Sequence, residues 1–407
     1  MPCDAHFVPL LGIDKLMDNQ QRLNFYQKTK MIDCLSIAKE ESSKLNNEFI
    51  TYFIKWPSGL NLYEKNAIKL LMVITPYQLS HFLESNFFDI QSLINYPNYI
   101  SFKIPKKKGG TRTIFAPDGK LKDVQKRLNF YLQAYYFCIK PTESHGFVIH
   151  PKSMHLSCNI VENAKMHVNK KHVLNIDLKD FFPSISALRV KELFMSPLFD
   201  YSEQIATALA LLTTYKGNLP IGAPTSPVIS NFICMQLDAD LIDFALTNQL
   251  SYSRYADDLT FSSNSKIEKE TILGIRELIE QNKFKVNEKK FRLQTSNRKQ
   301  TVTGITVNEK PNVDRKLLKK IRAMLFDWKK RGLLLATYAH FPYSNYGKDI
   351  DKLQKQFINR LNGYINFVGQ VRGKNDSIYL RYKTQYAEIV KCVKPVGINR
   401  YFNTELN

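Results

Sequence analysis

Tyr255-Ala256-Asp257-Asp258 is the stretch that decides the fold, because its two adjacent carboxylates stand between β-prone runs at residues 250–254 and 259–263. The pattern predicts a β-hairpin with acidic residues at its tip. Further upstream, the run His172-Val-Leu-Asn-Ile-Asp177 is also β-prone and ends in a third acid. We expect this strand to lie beside the hairpin in one sheet, which brings the three acids together.

A cluster of three carboxylates is unfavourable because like charges repel, unless cations lie within it. In phosphoryl-transfer chemistry these cations are commonly two Mg²⁺ ions roughly 3.5–4 Å apart, which activate the attacking oxygen and stabilise the leaving one. We therefore predict that Asp177, Asp257 and Asp258 bind two Mg²⁺ ions, for which Mn²⁺ could substitute. The expected chemistry is nucleotidyl transfer.

The composition indicates a polyanionic partner. The 407 residues include 58 Lys and Arg but only 37 Asp and Glu, which gives a formal net charge of +21, and 44% are hydrophobic. Such a chain is globular, and its cations suit nucleic acid first and a membrane surface second. No apolar run approaches the ~18 to 20 residues that span a bilayer, and the N-terminus lacks the pattern of a signal peptide. We expect a cytoplasmic protein with no membrane partner.

Changes of pattern divide the chain into three predicted regions. Residues 1–100 show helix-like periodicity without a catalytic pattern, which predicts a helical N-terminal extension. In region 101–305, two β-prone stretches first flank a basic Lys-Lys-Gly-Gly turn, which predicts a hairpin with a cationic tip. In region 306–407, basic residues that include Lys319 and Lys320 surround an apolar stripe. This pattern predicts a helix with a core side and a phosphate-facing side.

Helical patterns flank the acidic blocks. Residues 120–140 are typical of an amphipathic helix with a basic face, for which a merely solvated surface is the alternative. Thr225 is expected to cap another helix, with Pro227 in its first turn. Asp180 either caps a helix that begins at Pro183 or takes part in catalysis.

Seven sequence blocks follow one another between about Ser101 and Val307. They are Lys107-Lys-Gly-Gly-Thr-Arg112, Ser144-His-Gly-Phe147, Asn163-Ala-Lys-Met-His167, Asn175-Ile-Asp-Leu-Lys-Asp-Phe-Phe-Pro-Ser-Ile185, Leu219-Pro-Ile-Gly-Ala-Pro-Thr-Ser-Pro227, Tyr255-Ala-Asp-Asp258 and Val302-Thr-Gly304. One block alone would be weak. In this order and spacing the set resembles bacterial retron-type reverse transcriptases and their antiphage relatives, the defence-associated reverse transcriptases.

The resemblance implies an α+β fold of the right-hand polymerase class. Basic fingers and a palm whose antiparallel sheet carries the acids would occupy residues 101–305, and a basic helical thumb would follow in residues 306–407. The helical N-terminal extension is longer than we expect before the fingers of a minimal retron enzyme. This length keeps the wider defence-associated group in consideration.

The resemblance also implies roles for residues around the acids. Asp177, Asp257 and Asp258 match the metal-binding triad of the family. Arg112 would clamp the incoming triphosphate with Lys106 nearby, since a guanidinium suits bidentate phosphate contact. Phe182 would be the bulky gate under the sugar that favours deoxynucleotides, and its alternative is a core residue.

Residues further along the chain complete the implied nucleotide site. In the Leu-Pro-x-Gly loop, Gly222 would allow the backbone to approach the nucleotide, and Ala223 would leave room for the base pair. The loop departs from its relatives at Ile221, where glutamine is common and where isoleucine cannot form a hydrogen bond. Lys289 would be a general acid near the leaving pyrophosphate, with a solvated surface residue as the alternative.

Two blocks resemble elements of RNA recognition in retron-type enzymes. Asn163 and His167 lie in the first block, and a structural histidine is the alternative for His167. The second block, Val302, Thr303 and Gly304, resembles a primer-gripping turn that is associated with recognition of the enzymes' own structured RNA.

The resemblance therefore implies RNA-directed DNA synthesis in the bacterial cytoplasm, in antiphage defence. The partners would be a cognate non-coding RNA, its DNA product and deoxynucleoside triphosphates, and an effector protein and oligomerisation are compatible with the sequence. Ile221 and the 21 tyrosines keep untemplated or protein-primed DNA synthesis as an alternative. A non-catalytic RNA-binding scaffold is a further alternative, which the presence of all three acids disfavours.

Overall fold

The computed structural model describes residues 59–106, 109–149, 158–341 and 349–393. Within these residues the chain forms two compact units. The first unit runs to Asn159 and includes Asn175–Thr260 and Ile267–Arg292. The second includes Ile160–Leu174, Phe261–Lys266 and the described residues from Leu293 onward. The boundaries near residues 100 and 306 stay predictions.

The elements of the described ranges follow in chain order. The helices are α1 (Leu62–Leu71), α2 (Pro76–Phe82), α3 (Phe87–Asn95), α4 (Gly119–Ile139), α5 (Ile160–Lys165), α6 (Ala187–Met195), α7 (Glu203–Thr213), α8 (Ser226–Ile233), α9 (Met235–Thr247), α10 (Lys269–Gln281), α11 (Arg315–His340), α12 (Ile350–Arg372) and α13 (Ser377–Val393). The strands are β1 (Tyr99–Pro105), β2 (Thr111–Pro117), β3 (His172–Asp177), β4 (Ser251–Tyr255), β5 (Asp258–Ser263), β6 (Arg292–Thr295), β7 (Thr301–Val302) and β8 (Ile305–Thr306). A short 3₁₀ turn covers Glu288–Lys290.

Side-chain caps start the three helices that precede the first strand. Asn61 accepts hydrogen bonds from the amides of Tyr63 and Glu64 at the start of α1, and Thr75 caps α2 in the same way. Such caps satisfy amides that have no partner within the helix. The described part of the predicted N-terminal extension is therefore helical, and residues 1–58 lie outside the described residues.

The predicted basic hairpin is confirmed as the antiparallel pair β1 and β2, in a register from Tyr99 opposite Pro117 to Pro105 opposite Thr111. Residues 107–108 of its tip lie outside the described residues. The predicted amphipathic helix is also confirmed, since α4 buries Leu121, Val124, Leu128 and Leu132.

Strands β3 to β6 form one sheet in the order β4-β5-β3-β6. Only Ala256 and Asp257 separate β4 from β5, so these strands make a tight antiparallel hairpin with acids at its tip, as predicted. Asp177 ends β3, which lies next to β5 in the sheet. The mixture of helices with antiparallel hairpins agrees with the predicted α+β class.

One predicted helix start is wrong, and a second, which is correctly placed, lacks its predicted side-chain cap. No helix begins at Pro183, because Asp180 adopts a left-handed conformation with a φ of 47° and the following residues form turns. The next helix, α6, is capped instead by Ser186. Thr225 precedes α8 but makes no capping hydrogen bond, since its own backbone is already in the right-handed helical region.

Helices α11, α12 and α13 supply most of the core of the second unit, in which Ile321, Met324 and Trp328 of α11 pack among side chains of α12 and α13. The predicted apolar stripe of α11 is confirmed, and Lys319 and Lys320 lie on its exposed side. Gly332 has a φ of 79° and breaks α11. This break brings His340 Nε2 to 2.9 Å from Asp327 Oδ2. Within the described ranges, no helix is both long and apolar enough to span a bilayer.

Candidate active site

The structure brings the three predicted acids together. Asp177 ends β3, Asp257 lies in the hairpin turn and Asp258 begins β5. The amide of Leu178 donates to the carbonyl of Asp257 at 2.9 Å, which fixes the end of β3 beside the turn. Each hairpin carboxylate is close enough to Asp177 for the charge of Asp177 to affect its pKa.

Desolvation and mutual repulsion raise the pKa of both hairpin acids. Desolvation is the larger cause at Asp257, followed by the charge of Asp177. At Asp258, desolvation and the charges of Asp257 and Asp177 raise the pKa to about 7. Water reaches the side chain of Asp258, which is exposed by surface area, but the surrounding protein removes part of its hydration. The cluster therefore carries more negative charge than the protein alone compensates.

Asp177 is the acid that the protein does compensate. Its Oδ2 lies 2.5 Å from the Lys290 ammonium, and its Oδ1 accepts a hydrogen bond of 2.8 Å from the Asn287 side chain. The amide of Asn287 also donates to the Asp177 carbonyl at 2.8 Å. Partial burial alone would lower the pKa of Lys290. The hydrogen bond to Asp177 and the charges of the nearby acids outweigh this effect, so the pKa is raised.

The lysine beside the acids is Lys290 and not the predicted Lys289, whose side chain is exposed outside the cleft. Both belong to the 3₁₀ turn Glu288–Lys290. Successive side chains in such a turn point about 120° apart, so a shift of one residue changes which lysine faces the acids. The sequence shows two adjacent lysines but does not show which of them faces the acids.

The fit of these acids to a divalent ion rests on their chemistry. In the described residues, no three His, Cys, Asp or Glu side chains already stand in a metal-binding arrangement. The raised pKa values of Asp257 and Asp258 nevertheless indicate uncompensated negative charge, and carboxylate oxygens are the ligands that Mg²⁺ prefers. Asn287 and Lys290 each contact one oxygen of the Asp177 carboxylate, and an ionised carboxylate keeps further lone pairs for a cation. The donor set therefore fits a divalent cation.

Asp177 and Asp257 open into a cleft of about 560 Å³ within the first unit, whereas Asp258 is not part of its lining. Predicted site residues that line it are Lys106, Arg112, Asp177, Phe182 and Asp257, together with Asp180 and Ile221. The charge of Arg112 partly offsets the rise in the pKa of Asp257, so this cation acts on the acids across the cleft. The cleft therefore combines acids, cations and an aromatic side chain.

The structure explains the glycine at position 222 by its backbone conformation and its contact with β2, and not by the predicted approach to a nucleotide. Its φ of 116° favours glycine, and an added Cβ would lie 2.5 Å from the Ile114 side chain of β2. The amide of Phe115 donates to the carbonyl of Ile221 at 2.8 Å, which ties the loop to β2. Ala223 is buried, and neither Gly222 nor Ala223 lines the cleft. Both residues therefore shape the loop that presents Ile221.

Most residues of the predicted RNA-contacting blocks are inside the second unit. The side chains of Asn163, His167 and Val302 are fully buried, and His167 Nδ1 lies 2.7 Å from Ser262 Oγ. These three side chains thus present no atom to a nucleic acid in this structure, which corrects the predicted contacts.

The second of these blocks forms a tight turn. Thr303 and Gly304, with φ values of 47° and 85°, join β7 to β8, and two positive φ angles suit a two-residue hairpin. Thr303 Oγ1 donates to the carbonyl of Ile160 at 3.1 Å. Gly304 is exposed, so the tip of this turn is the accessible part of the block.

Behind the acidic hairpin of β4 and β5 lies a buried polar network that the sequence analysis did not predict. Arg254 is fully buried and forms two hydrogen bonds with Asp238, of 2.7 and 2.6 Å. It also donates to Asn231, to the carbonyl of Ala256 and to Ser144. The sequence feature that could have indicated this network is a pair of charged residues in apolar elements, Arg254 on a buried strand and Asp238 on an apolar helix.

Comparisons with known proteins agree with this geometry. Residues 104–307, half of the chain, match the family described as reverse transcriptase (RNA-dependent DNA polymerase). The Retron Mx65 reverse transcriptase of Myxococcus xanthus is 34% identical in an alignment of 248 positions that covers 56% of this chain and 55% of that protein. The Retron Ec86 reverse transcriptase of Escherichia coli is 34% identical in an alignment of 232 positions that covers 55% of this chain and 66% of that protein. The chain thus spans between about half and two thirds of these relatives.

Among solved structures, telomerase from Candida albicans in complex with a fragment of telomeric RNA has a TM-score of 0.41 at 11% identity, covering 74% of this chain and 64% of that chain. A foamy viral protease-reverse transcriptase in complex with double-stranded DNA has a TM-score of 0.35 at 16% identity, covering 74% of this chain and 44% of that chain.

Proposed function

Because the chain belongs to the reverse transcriptase family, we propose that it is an RNA-directed DNA polymerase of the retron type, which copies a cognate non-coding RNA into DNA. Family membership agrees with the predicted right-hand polymerase class. The observation that carries the proposal is the cleft in which Asp177 and Asp257 face Lys106, Arg112 and Phe182.

Divalent metal ions are general cofactors of this family, and Asp177, Asp257 and Asp258 are the residues that would hold them here. Two Mg²⁺ ions, or Mn²⁺ in their place, would activate the primer hydroxyl and stabilise the leaving oxygen. Arg112 and Lys106 would bind the phosphates of the incoming deoxynucleotide, since the guanidinium fork matches phosphate geometry. Phe182 would exclude nucleotides that carry a 2′-hydroxyl.

Lys290 replaces Lys289 as the candidate general acid. Its ammonium stands 2.5 Å from Asp177, at the edge of the same cleft that Arg112 and Lys106 line. Lys290 would turn toward the phosphates of the nucleotide when the acids hold a divalent ion. Protonating the leaving pyrophosphate is the step that such a lysine can assist.

The experiment that tests the proposed function starts from the full chain co-expressed with its neighbouring DNA. The protein is purified, and the bound nucleic acid is sequenced before and after ribonuclease treatment. A discrete RNA joined to complementary DNA supports the proposal. Bound nucleic acid without complementary DNA, together with no primer extension on an RNA template, would contradict it.

Untemplated or protein-primed DNA synthesis is the second candidate, because Ile221 lines the cleft where a glutamine would offer a hydrogen bond. Homopolymeric DNA, or DNA joined covalently to a tyrosine, would identify it in the same experiment. The clustering of the three acids argues against the non-catalytic RNA-binding scaffold. Because the chain resembles retron enzymes, the proposal includes a role in antiphage defence. An effector protein as partner and self-association of the chain are further parts of it.

A further inference from the structure

Phe147 is an aromatic residue of the cleft that the polymerase chemistry leaves without a role. It lines the same cleft as Asp177, Asp257 and Phe182. Its φ of 59° is a left-handed conformation, which bulky side chains rarely adopt. Such strain persists only where the surroundings over-determine the conformation, and it is common at functional sites.

Two attachments hold Phe147 in this conformation. The buried Gln133 of α4 donates to the carbonyl of Phe147 at 3.0 Å and accepts from the amide of Ile149 at 3.1 Å, so one side chain clamps both sides of the residue. On the other side, Gly146 packs directly against the catalytic hairpin, where an added Cβ would lie 2.3 Å from the amide nitrogen of Ala256. The Phe147 backbone is therefore fixed to the catalytic acids.

The ring of Phe147 packs against the ring of Phe182, with centroids 5.8 Å apart and planes inclined by 34°. Phe182 also packs against Phe181, at 5.3 Å, and Phe181 is buried against Phe284. The Phe182 ring thus has a buried neighbour and a neighbour in the cleft wall. A Phe182 ring that has lost one of these neighbours would be free to change rotamer toward the space that the neighbour occupied.

We propose that Phe147 is a positioning residue for sugar discrimination, whose ring holds the Phe182 ring where a 2′-hydroxyl would collide with it. This inference rests on the proposed function. Without Phe147, the Phe182 ring swings toward the vacated space and admits ribonucleotides, although every metal-binding and phosphate-binding residue is unchanged.

The test is single-nucleotide primer extension by the full chain on an RNA template, with dCTP or CTP opposite the same template guanine. The measured quantity is the ratio of kcat/KM for dCTP to that for CTP. The variants are Phe147→Ala, Phe182→Ala and the double variant, and Phe147→Leu retains apolar bulk. Phe88→Ala, at an exposed residue of α3, is the matched control. A loss of folded protein cancels in this ratio, because both substrates use the same active fraction.

We expect Phe147→Ala to lower the ratio about tenfold, the scale on which small changes of pocket shape discriminate between substrates. Phe147→Leu and Phe88→Ala should stay near the wild-type ratio. The double variant should match Phe182→Ala, because a residue that acts through another adds nothing once that one is gone.

An unchanged ratio in Phe147→Ala would overturn the inference while leaving the proposed function intact. A double variant whose loss is the product of the two single losses would also overturn it, since Phe147 would then act independently. A wild-type protein that extends no primer on RNA would overturn the proposed function and this inference together.

Discussion

At the scale of single residues, the acids of the hairpin depend on charge that the protein itself does not supply. Lys290 compensates Asp177, whereas Asp257 and Asp258 keep raised pKa values. Removing carboxylate charge alone should therefore separate the proposed catalysis from the proposed RNA binding.

Changing Asp257→Asn together with Asp258→Asn should lower DNA synthesis by at least about 10³-fold, because stabilisation by a metal ion is worth several kcal/mol. RNA affinity should stay near the wild-type value, since the cations are untouched. Primer extension and filter binding measure the two effects. The control is Asp123→Asn with Asp243→Asn, two exposed acids outside the cleft, which makes the same change in net charge. Residual synthesis near the wild-type rate would contradict the metal assignment.

The pKa of about 7 at Asp258, against 3.8 for an ordinary aspartate, predicts a pH dependence of stability. The folded state binds this proton more tightly than the unfolded state does. The carboxyl group therefore contributes stability that is complete below about pH 4 and is lost as the pH rises through about 7. In EDTA, the Tm of the wild-type protein should fall as the pH rises from about 4 to about 7. The Tm of Asp258→Asn should fall less over the same range. Added Mg²⁺ should reduce the difference, and parallel curves for the two proteins would contradict the shift.

Single residues also show where sequence reasoning ends. The approach of the three acids to one another, and the position of Arg112 and Phe182 in the cleft, could be predicted from residue types and their order. The sequence could not predict that Lys290, and not Lys289, lies beside the acids, because packing decides which side chains of a short turn face the cleft. The fully buried His167 shows the same limit, since a motif does not reveal which way a side chain points.

At the scale of elements, the turn Ser144–Phe147 and the hairpin of β4 and β5 contact each other through their backbones. The amide of His145 donates to the carbonyl of Arg254 at 2.9 Å, and the amide of Arg254 donates to the carbonyl of Glu143 at the same distance. No side chain separates the two elements at Gly146. The position of the acids is therefore tied to a segment far away in sequence.

Gly146→Ala should destabilise the protein by about 1–3 kcal/mol, the usual cost of overpacking, because its Cβ would overlap the backbone of Ala256. Synthesis should fall further than stability explains, since the hairpin must shift. Chemical denaturation and primer extension measure the two quantities. Gly363→Ala is the control, as an exposed glycine within α12 whose added Cβ meets nothing within 4 Å. This control should be neutral or slightly stabilising, and equal effects in the two variants would refute the close approach.

The sequence predicts elements well where hydrophobic period and turn chemistry agree, as in the hairpin β4–β5 and in α4. It fails at Thr225, whose hydroxyl is buried and makes no cap, and at Pro183, where the left-handed Asp180 interrupts the chain. Both errors arise because tertiary packing overrides a local preference. The contact of Gly222 with β2 could not be predicted from the sequence either, because it joins segments that are far apart along the chain.

At the scale of the whole molecule, the net charge of +21 should make the proposed nucleic-acid binding sensitive to salt. The logarithm of affinity for a single strand should fall with the logarithm of salt concentration at a slope of about −0.7 for each phosphate contacted. The composition alone predicts this behaviour. The residues that make the contacts have to be found by substitution.

Lys319→Gln with Lys320→Gln should reduce the magnitude of this slope by about 1.4, if both exposed lysines of α11 contact phosphates. Fluorescence anisotropy over a salt series with the co-purified RNA measures the slope. Lys269→Gln with Lys283→Gln is the matched control, because these exposed lysines lie in the first unit outside the cleft. Equal slopes for the two double variants would remove α11 from the interface.

The buried pair Arg254–Asp238 has a consequence for how the protein is made. Ser144 lies 110 residues before Arg254 and Asp238 lies 16 before it, so both leave the ribosome ahead of their partner. A buried carboxylate without its cation is strongly unfavourable. We therefore expect helices α8 and α9 to close over Asp238 only after β4 has been synthesised. A nascent chain that stalls before residue 254 keeps apolar surface exposed, and is a target for chaperones and proteases rather than a stable folding intermediate.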